Sequence, residues 1–110
     1  MKVSDLISSD YELLTNLETL NNSFEGVYQT DLLSAAIKSA KPNQGLITLI
    51  SHVNTVALAM MIDLSLIIVA EHRKVTQEMI DKANEEGICI LSSHLKSYEI
   101  VIDLHKRGLI

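Results

Sequence analysis

Apolar and polar residues change their spacing along this chain, and those changes predict which segments are helices and which are strands. The second half alternates regularly. Leu46, Ile47, Leu49 and Ile50 make a short aliphatic run over 46–50, read as a strand. Residues 52–62 are rich in Ala and Met and predict a buried helix. The run Ser65-Leu66-Ile67-Ile68-Val69-Ala70 is apolar at successive positions, the pattern of a strand covered on both faces. Over 76–86, Met79, Ile80 and Ala83 recur at helical spacing behind Thr76, a capping residue, with Gly87 just past the end. A third strand follows over 88–91. The final helix, over 97–106, offers Tyr98, Val101, Ile102 and His105 for packing, and Gly108 follows it. Strand-then-helix units joined by short connections call for parallel strands and right-handed crossovers.

The first third is less regular. Residues 3–9 predict a short helix with Ser4 as its cap and Val3, Leu6 and Ile7 as apolar positions. A short strand is expected over 11–15 and an irregular connection over 16–23, where Asn21-Asn22 suits turn backbone. A further strand is expected over 24–28, with Gly26 inside it marking a bulge or a close backbone approach. These N-terminal strands are expected to pair antiparallel or at the sheet edge. Asp31 stands before the stripe Leu32, Leu33, Ala36 and Ile37, which predicts a helix ending near Ala40. Residues 41–45, which hold the only Pro, read as a loop.

Composition narrows the class. The apolar fraction of 47% comes mainly from aliphatic residues, with no Trp and a single Phe, Phe24, which suits aliphatic strands between helices. A length of 110 residues fits one domain, 1–110, with a core that needs neither metal nor disulfide staples. The net charge of −5, with basic residues scattered except for Lys106-Arg107, lacks the basic face of a nucleic-acid binder. The lone Cys89 rules out an internal disulfide and suits a reducing cytoplasm. Met1 to Asp5 lacks the apolar core of a signal peptide, and the most apolar stretch, 56–70, is too short for a membrane span and contains Asp63. A cytoplasmic protein without a membrane segment is expected.

Ligands of open α/β sheets sit beyond the carboxyl ends of the strands. That rule selects Ser51, His52 and Asn54 after the first regular strand. It also selects Glu71, His72, Arg73 and Lys74 after the second, and Ser92, Ser93 and His94 after the third. The expectation is one shared polar rim, with Ser51, His52, Asn54, Ser92, Ser93 and His94 as ligand-binding candidates. Catalytic and metal patterns are missing. The histidines form no HxH, HxxxH or HExxH spacing and Cys89 lies within a strand, so they read as capping or surface residues, and no metal or cofactor is expected. Ser51-His52 and Ser93-His94 are neighbours in sequence, which does not aim a hydroxyl at an imidazole, and no GxSxG elbow occurs. There is no P-loop and no GxGxxG to grip phosphate. The helix start near His52 offers free amides to an anion, as every helix start does. Cys89 reads as an inert core thiol, Met60-Met61 as core or subunit contact, and Glu78, Glu85 and Glu86 as a solvated face.

Three segments carry a family pattern. They are Gly26-Val27-Tyr28-Gln29-Thr30-Asp31-Leu32-Leu33-Ser34, the run from Thr48 to Ala57 with its His52-x-Asn54 element, and the run from Ala83 to Ser92. Together they resemble the DRTGG domain family over nearly the whole chain, with Gly26, Tyr28 and Asp31 as motif positions. The naming signature is degraded: Asn21-Asn22 replaces an aspartate–arginine pair and Gly26-Val27 replaces paired glycines. The resemblance implies a three-layer α/β/α fold with a mostly parallel central sheet, similar to the N-terminal domains of the HPr kinase/phosphorylase and of muramoyl ligases. Such domains also occur in nucleotide-regulated pyrophosphatases beside CBS domains. The implied role is a non-catalytic regulatory domain, homodimeric, sensing a small anionic or nucleotide ligand at the rim. The alternative is a protein-interaction adaptor for a kinase or metabolic enzyme, without a small ligand. A small enzyme using His52 or His94 as acid or base ranks last, because no positioned partner can be named.

Overall fold

A computed structural model describes residues 1–110. The strands are β1 (Tyr11–Leu13), β2 (Val27–Gln29), β3 (Gly45–Thr48), β4 (Leu66–Val69) and β5 (Cys89–Ser93). The helices are α1 (Leu33–Ser39), α2 (Val53–Met61), α3 (Gln77–Glu86) and α4 (Ser97–Lys106). The strands form one sheet in the order β1-β5-β4-β3-β2. β2 through β5 run parallel, and β1 closes one edge antiparallel to β5, with Tyr11 opposite Ser93 and Leu13 opposite Leu91.

Strand alternation divides the apolar residues between two faces. Leu46, Ile67, Val69 and Ile90 pack beneath Ala36, Val56, Leu58, Ala59, Met79 and Ala83 from α1, α2 and α3. Ile47, Leu66, Ile68 and Leu91 point the other way, against Ile100 and Leu104 of α4 and against Val3, Leu6 and Phe24 of the N-terminal segment. The result is three layers. Each crossover from β2 to β5 adds the next parallel strand on the same side, so constant handedness keeps α1, α2 and α3 on one face. β5 starts no further crossover, and α4 folds onto the opposite face. Every residue of β4 is fully buried, and each buried Leu, Ile or Val contributes about 1.5–3 kcal/mol, so the middle strands dominate the driving force.

The structure changes several expectations. The helix expected over 3–9 is a single 3-10 turn, Val3–Asp5, in which Ser4 caps nothing; Val3 and Leu6 are instead drawn into the core. The irregular 16–23 connection holds a 3-10 helix, Leu17–Asn21. Phe24 lies outside the strand expected for it, and β2 begins at Val27. Gly26 is a turn residue with φ +71° rather than a bulge; the close approach is at Gly45, where an added Cβ would meet Leu66 Cδ2 at 3.0 Å. The first regular strand stops at Thr48, whereas β5 runs on to Ser93 because β1 pairs with its end. α4 presents Ile100 and Leu104 inward, leaving Tyr98, Ile102 and His105 exposed.

α3 forms as expected. Thr76 Oγ1 accepts from the Met79 amide at 3.2 Å, and Gly87 ends the helix at φ +71° with its N–H on the Ala83 carbonyl. Nothing lies within 4 Å of a Cβ added at Gly87, so only the backbone conformation opposes a side chain. Gly87→Ala is therefore expected to lower unfolding free energy by about 1 kcal/mol in urea denaturation. A neutral result would show that this cap contributes nothing.

Candidate functional site

The connections leaving β4 and β5 diverge to opposite faces, one to α3 and the other to α4. The crevice outside such carboxyl ends is where open α/β sheets hold ligands. Here two backbone bonds stitch it: Glu71 N–H donates to Leu95 O at 2.9 Å and His72 N–H to Ser93 O at 2.7 Å. They hold Glu71 and His72 at φ +58° and +51°. Left-handed backbone costs a non-glycine residue roughly 1–2 kcal/mol, and residues held in such conformations cluster at functional sites.

The edge strand completes the site. Antiparallel pairing sets Glu12 directly opposite Ser92, so both side chains share the α3 face of the sheet. Two clefts open there. One, of about 200 Å³, is lined by Ser9, Asp10, Tyr11, Glu12 and His94 together with His72 and Ser92. The other, of about 260 Å³, holds Arg73, Lys74, Leu14, Val75 and Ile80 around the same Glu12, His72 and Ser92. They are two lobes of one trough.

The electrostatics of the lobes differ. His94 Nε2 lies 2.9 Å from Asp10 Oδ1 in an exposed pair, a geometry that contributes roughly 0–1 kcal/mol. The other ion pairs are Lys82–Glu86 and Arg107–Asp103, which leaves Arg73 and Lys74 without an acidic partner. Ser92 is 8% exposed and its hydroxyl makes no hydrogen bond within the protein. Ser93, one residue on, points to the α4 face, where its Oγ accepts from the Leu95 amide at 3.1 Å.

The expected rim is therefore divided. Ser92, His94 and His72 come together on the trough. Ser51 is half-buried and His52 and Asn54 are exposed at the start of α2, and none of the three lines a cleft. His52 Nδ1 accepts from the Asn54 amide at 3.1 Å, so the imidazole already caps the amides proposed for an anion. No three His, Cys, Asp or Glu side chains gather closely enough to hold a metal ion. Burial pushes the Cys89 thiol up from its ordinary value, which disfavours the reactive thiolate.

Two of the motif positions, Asp31 and Tyr28, make contacts within the fold. Asp31 Oδ1 accepts from Thr48 Oγ1 at 3.2 Å and from the Leu49 amide at 2.7 Å, clamping the ends of β2 and β3 instead of starting α1. Tyr28 packs half-buried on the α1–α3 side of the sheet. Asn22 Nδ2 donates to Ser65 O at 3.1 Å and Gly87 O at 2.8 Å, just before β4 and β5. The signature loop thus sits at the amino-terminal end of the sheet, opposite the trough.

No family model matches the sequence, and no curated protein matches it significantly. The fold does have a likeness among solved structures. It is similar to the CBS and DRTGG domains of the regulatory region of Clostridium perfringens pyrophosphatase, complexed with the activator diadenosine tetraphosphate. The TM-score is 0.68 at 16% identity, covering 91% of this chain and 46% of that one. The chain thus spans about half the length of that neighbour. The protein is an α/β domain of DRTGG-like fold. No helix is long and apolar enough to cross a membrane.

Proposed function

We propose that this chain is a non-catalytic regulatory domain of the DRTGG family, cytoplasmic and homodimeric, which senses a small anionic or nucleotide ligand. The ligand binds in the trough at the β4–β5 mouth. The observation that supports this most is the strained Glu71–His72 turn, which presents the unpaired Arg73 and Lys74 beside Ser92, a largely buried residue whose hydroxyl opens on the trough without a partner in the protein. The fold likeness to a regulatory region bound to a nucleotide activator points the same way. His72 and His94 supply further donors. Ser51, His52 and Asn54 flank the mouth on the β3 side, one strand away from it.

A thermal-shift screen of the whole chain against nucleotides tests the reading. Saturable stabilisation of about 2.7 kcal/mol is expected at a hundredfold excess over Kd. The double variant Arg73→Ala/Lys74→Ala should abolish it, since both side chains are exposed and make no internal ion pair. Flat curves with every nucleotide would sink the sensing role and favour the adaptor. That second reading draws on α4, where the exposed Tyr98 and Ile102 border a groove of about 350 Å³. The homodimer draws on exposed apolar residues, among them Leu32, Ile37 and Met61, and sedimentation as a monomer at micromolar concentration would remove it.

A further inference from the structure

The two lobes differ in what they can accept from a ligand. One presents two cations, Arg73 and Lys74, beside an apolar wall of Leu14, Val75 and Ile80. The other presents carboxylates. Asp10 there is engaged by His94, while the Glu12 carboxylate, at the waist between the lobes, makes no ion pair or hydrogen bond within the protein. Ser92 stands opposite Glu12 at the same waist, nine-tenths buried and unpartnered.

We infer that the trough takes a phosphate monoester carried on a hydroxylated sugar, as in a nucleoside monophosphate, and discriminates against polyphosphates; the inference rests on the functional reading above. A monoester carries a charge of about −1.5 to −2 near neutral pH, which two cations balance. Phosphate seated on Arg73 and Lys74 places the sugar at the waist. There its hydroxyls donate to Glu12, the kind of contact by which acidic residues recognise ribose, and exchange a hydrogen bond with Ser92. The apolar wall covers the sugar's carbon face. A second or third phosphate reaching the waist meets the unneutralised Glu12 carboxylate and is repelled.

The sign of one substitution tests this. Titration calorimetry on the whole chain would use adenosine monophosphate, ribose 5-phosphate, inorganic pyrophosphate and diadenosine tetraphosphate as probes. Each would be run against the unaltered protein, Glu12→Gln and Arg73→Ala/Lys74→Ala. Glu12 is exposed, so equal melting temperatures without ligand verify that the fold is unchanged. Glu12→Gln should weaken binding of the monoesters about tenfold or more, the loss expected for a hydrogen bond to a charged group, while pyrophosphate binding tightens. Comparable affinity for the two monoesters would identify the sugar phosphate itself as ligand, and much tighter adenosine monophosphate the nucleoside. Tighter binding of pyrophosphate or the tetraphosphate than of either monoester, improved by Glu12→Gln, would overturn the inference. The functional reading would still stand in that case if Arg73→Ala/Lys74→Ala abolished the binding. Absence of binding by all four probes would remove both.

Discussion

Phe24→Ala is expected to lower the unfolding free energy by about 3–5 kcal/mol, the largest effect of any single truncation considered for this chain. Phe24 is the sole Phe and is fully buried in the cluster with Val3, Leu6, Ile47, Leu66 and Ile68. Its segment is otherwise held by hydrogen bonds, among them Ser65 Oγ donating to Ser23 O at 2.6 Å and the Glu25 amide to Asn43 O at 2.7 Å. The Phe24 amide donates to Met1 O at 2.7 Å, and the nearest pairing is one isolated bridge between Lys2 and Ser23. The cavity left by alanine would be walled by β3 and β4, whose positions are fixed by pairing on both sides, so collapse around it is limited. Small domains have total stabilities of about 5–15 kcal/mol, so a large share would be lost. Urea denaturation measures it, with Phe24→Leu expected to retain much of the stability. A loss below about 1 kcal/mol for Phe24→Ala would mean that the N-terminal segment is not docked as described.

Phe24 also marks where sequence reading ran out. From Gly45 onward each element carries its own local sign: the four successive apolar residues of β4, the Thr76 cap, the Gly87 stop. The N-terminal third has no such sign, because its apolar residues are anchors dropped singly into a core built elsewhere. A 3-10 turn that buries Val3 and Leu6 resembles the start of a helix, and an anchor such as Phe24 resembles a strand residue. α4 failed differently. Apolar residues at 98, 100, 101, 102 and 104 allow two helical stripes, and only the sheet beneath decides that Ile100 and Leu104 face inward.

The candidate site divides along the same line. The rule that ligands lie beyond carboxyl ends found Ser92, His94 and the loop of His72, Arg73 and Lys74, because those positions follow from strands readable in the sequence. Asp10 and Glu12 were missed. They reach the trough only through the antiparallel pairing of β1 with β5, a contact between residues some eighty positions apart that no local pattern announces. Ser92 and Ser93 looked equivalent, yet alternation sends them to opposite faces. Asp31 carried the motif but spends its carboxylate on the β3 end.

The second large effect lies on the α4 face, where Tyr11→Phe should lower stability at neutral pH by about 1.5–3 kcal/mol, a difference that shrinks above pH 10. The Tyr11 hydroxyl donates to Asp103 Oδ2 at 2.7 Å. Arg107 Nη2 reaches the same oxygen at 3.1 Å and Leu6 O at 2.7 Å, tying α4 to β1 and to the N-terminal segment. The Arg107 guanidinium carbon lies 5.8 Å from the Tyr11 ring centroid, a contact that Phe preserves, so the variant removes the hydroxyl alone. Burial foremost, then the hydrogen bond to Asp103 and its negative charge, push the Tyr11 phenol well above its ordinary value, against a smaller opposing pull from Arg107. In the unfolded chain that phenol titrates near pH 10. Above this the unfolded state sheds a proton that the folded state keeps, so stability falls with rising pH, by up to about 1.4 kcal/mol per unit. Tyr11→Phe has no such proton to lose. Urea denaturation of both proteins at about pH 7 and about pH 11 should therefore show the gap closing, since the Tyr11 hydroxyl is the one group by which the two proteins differ. A gap of the same size at both pH values would mean that Tyr11 ionises in the folded protein as readily as in the unfolded chain, and that the Tyr11–Asp103 bond does not hold its proton.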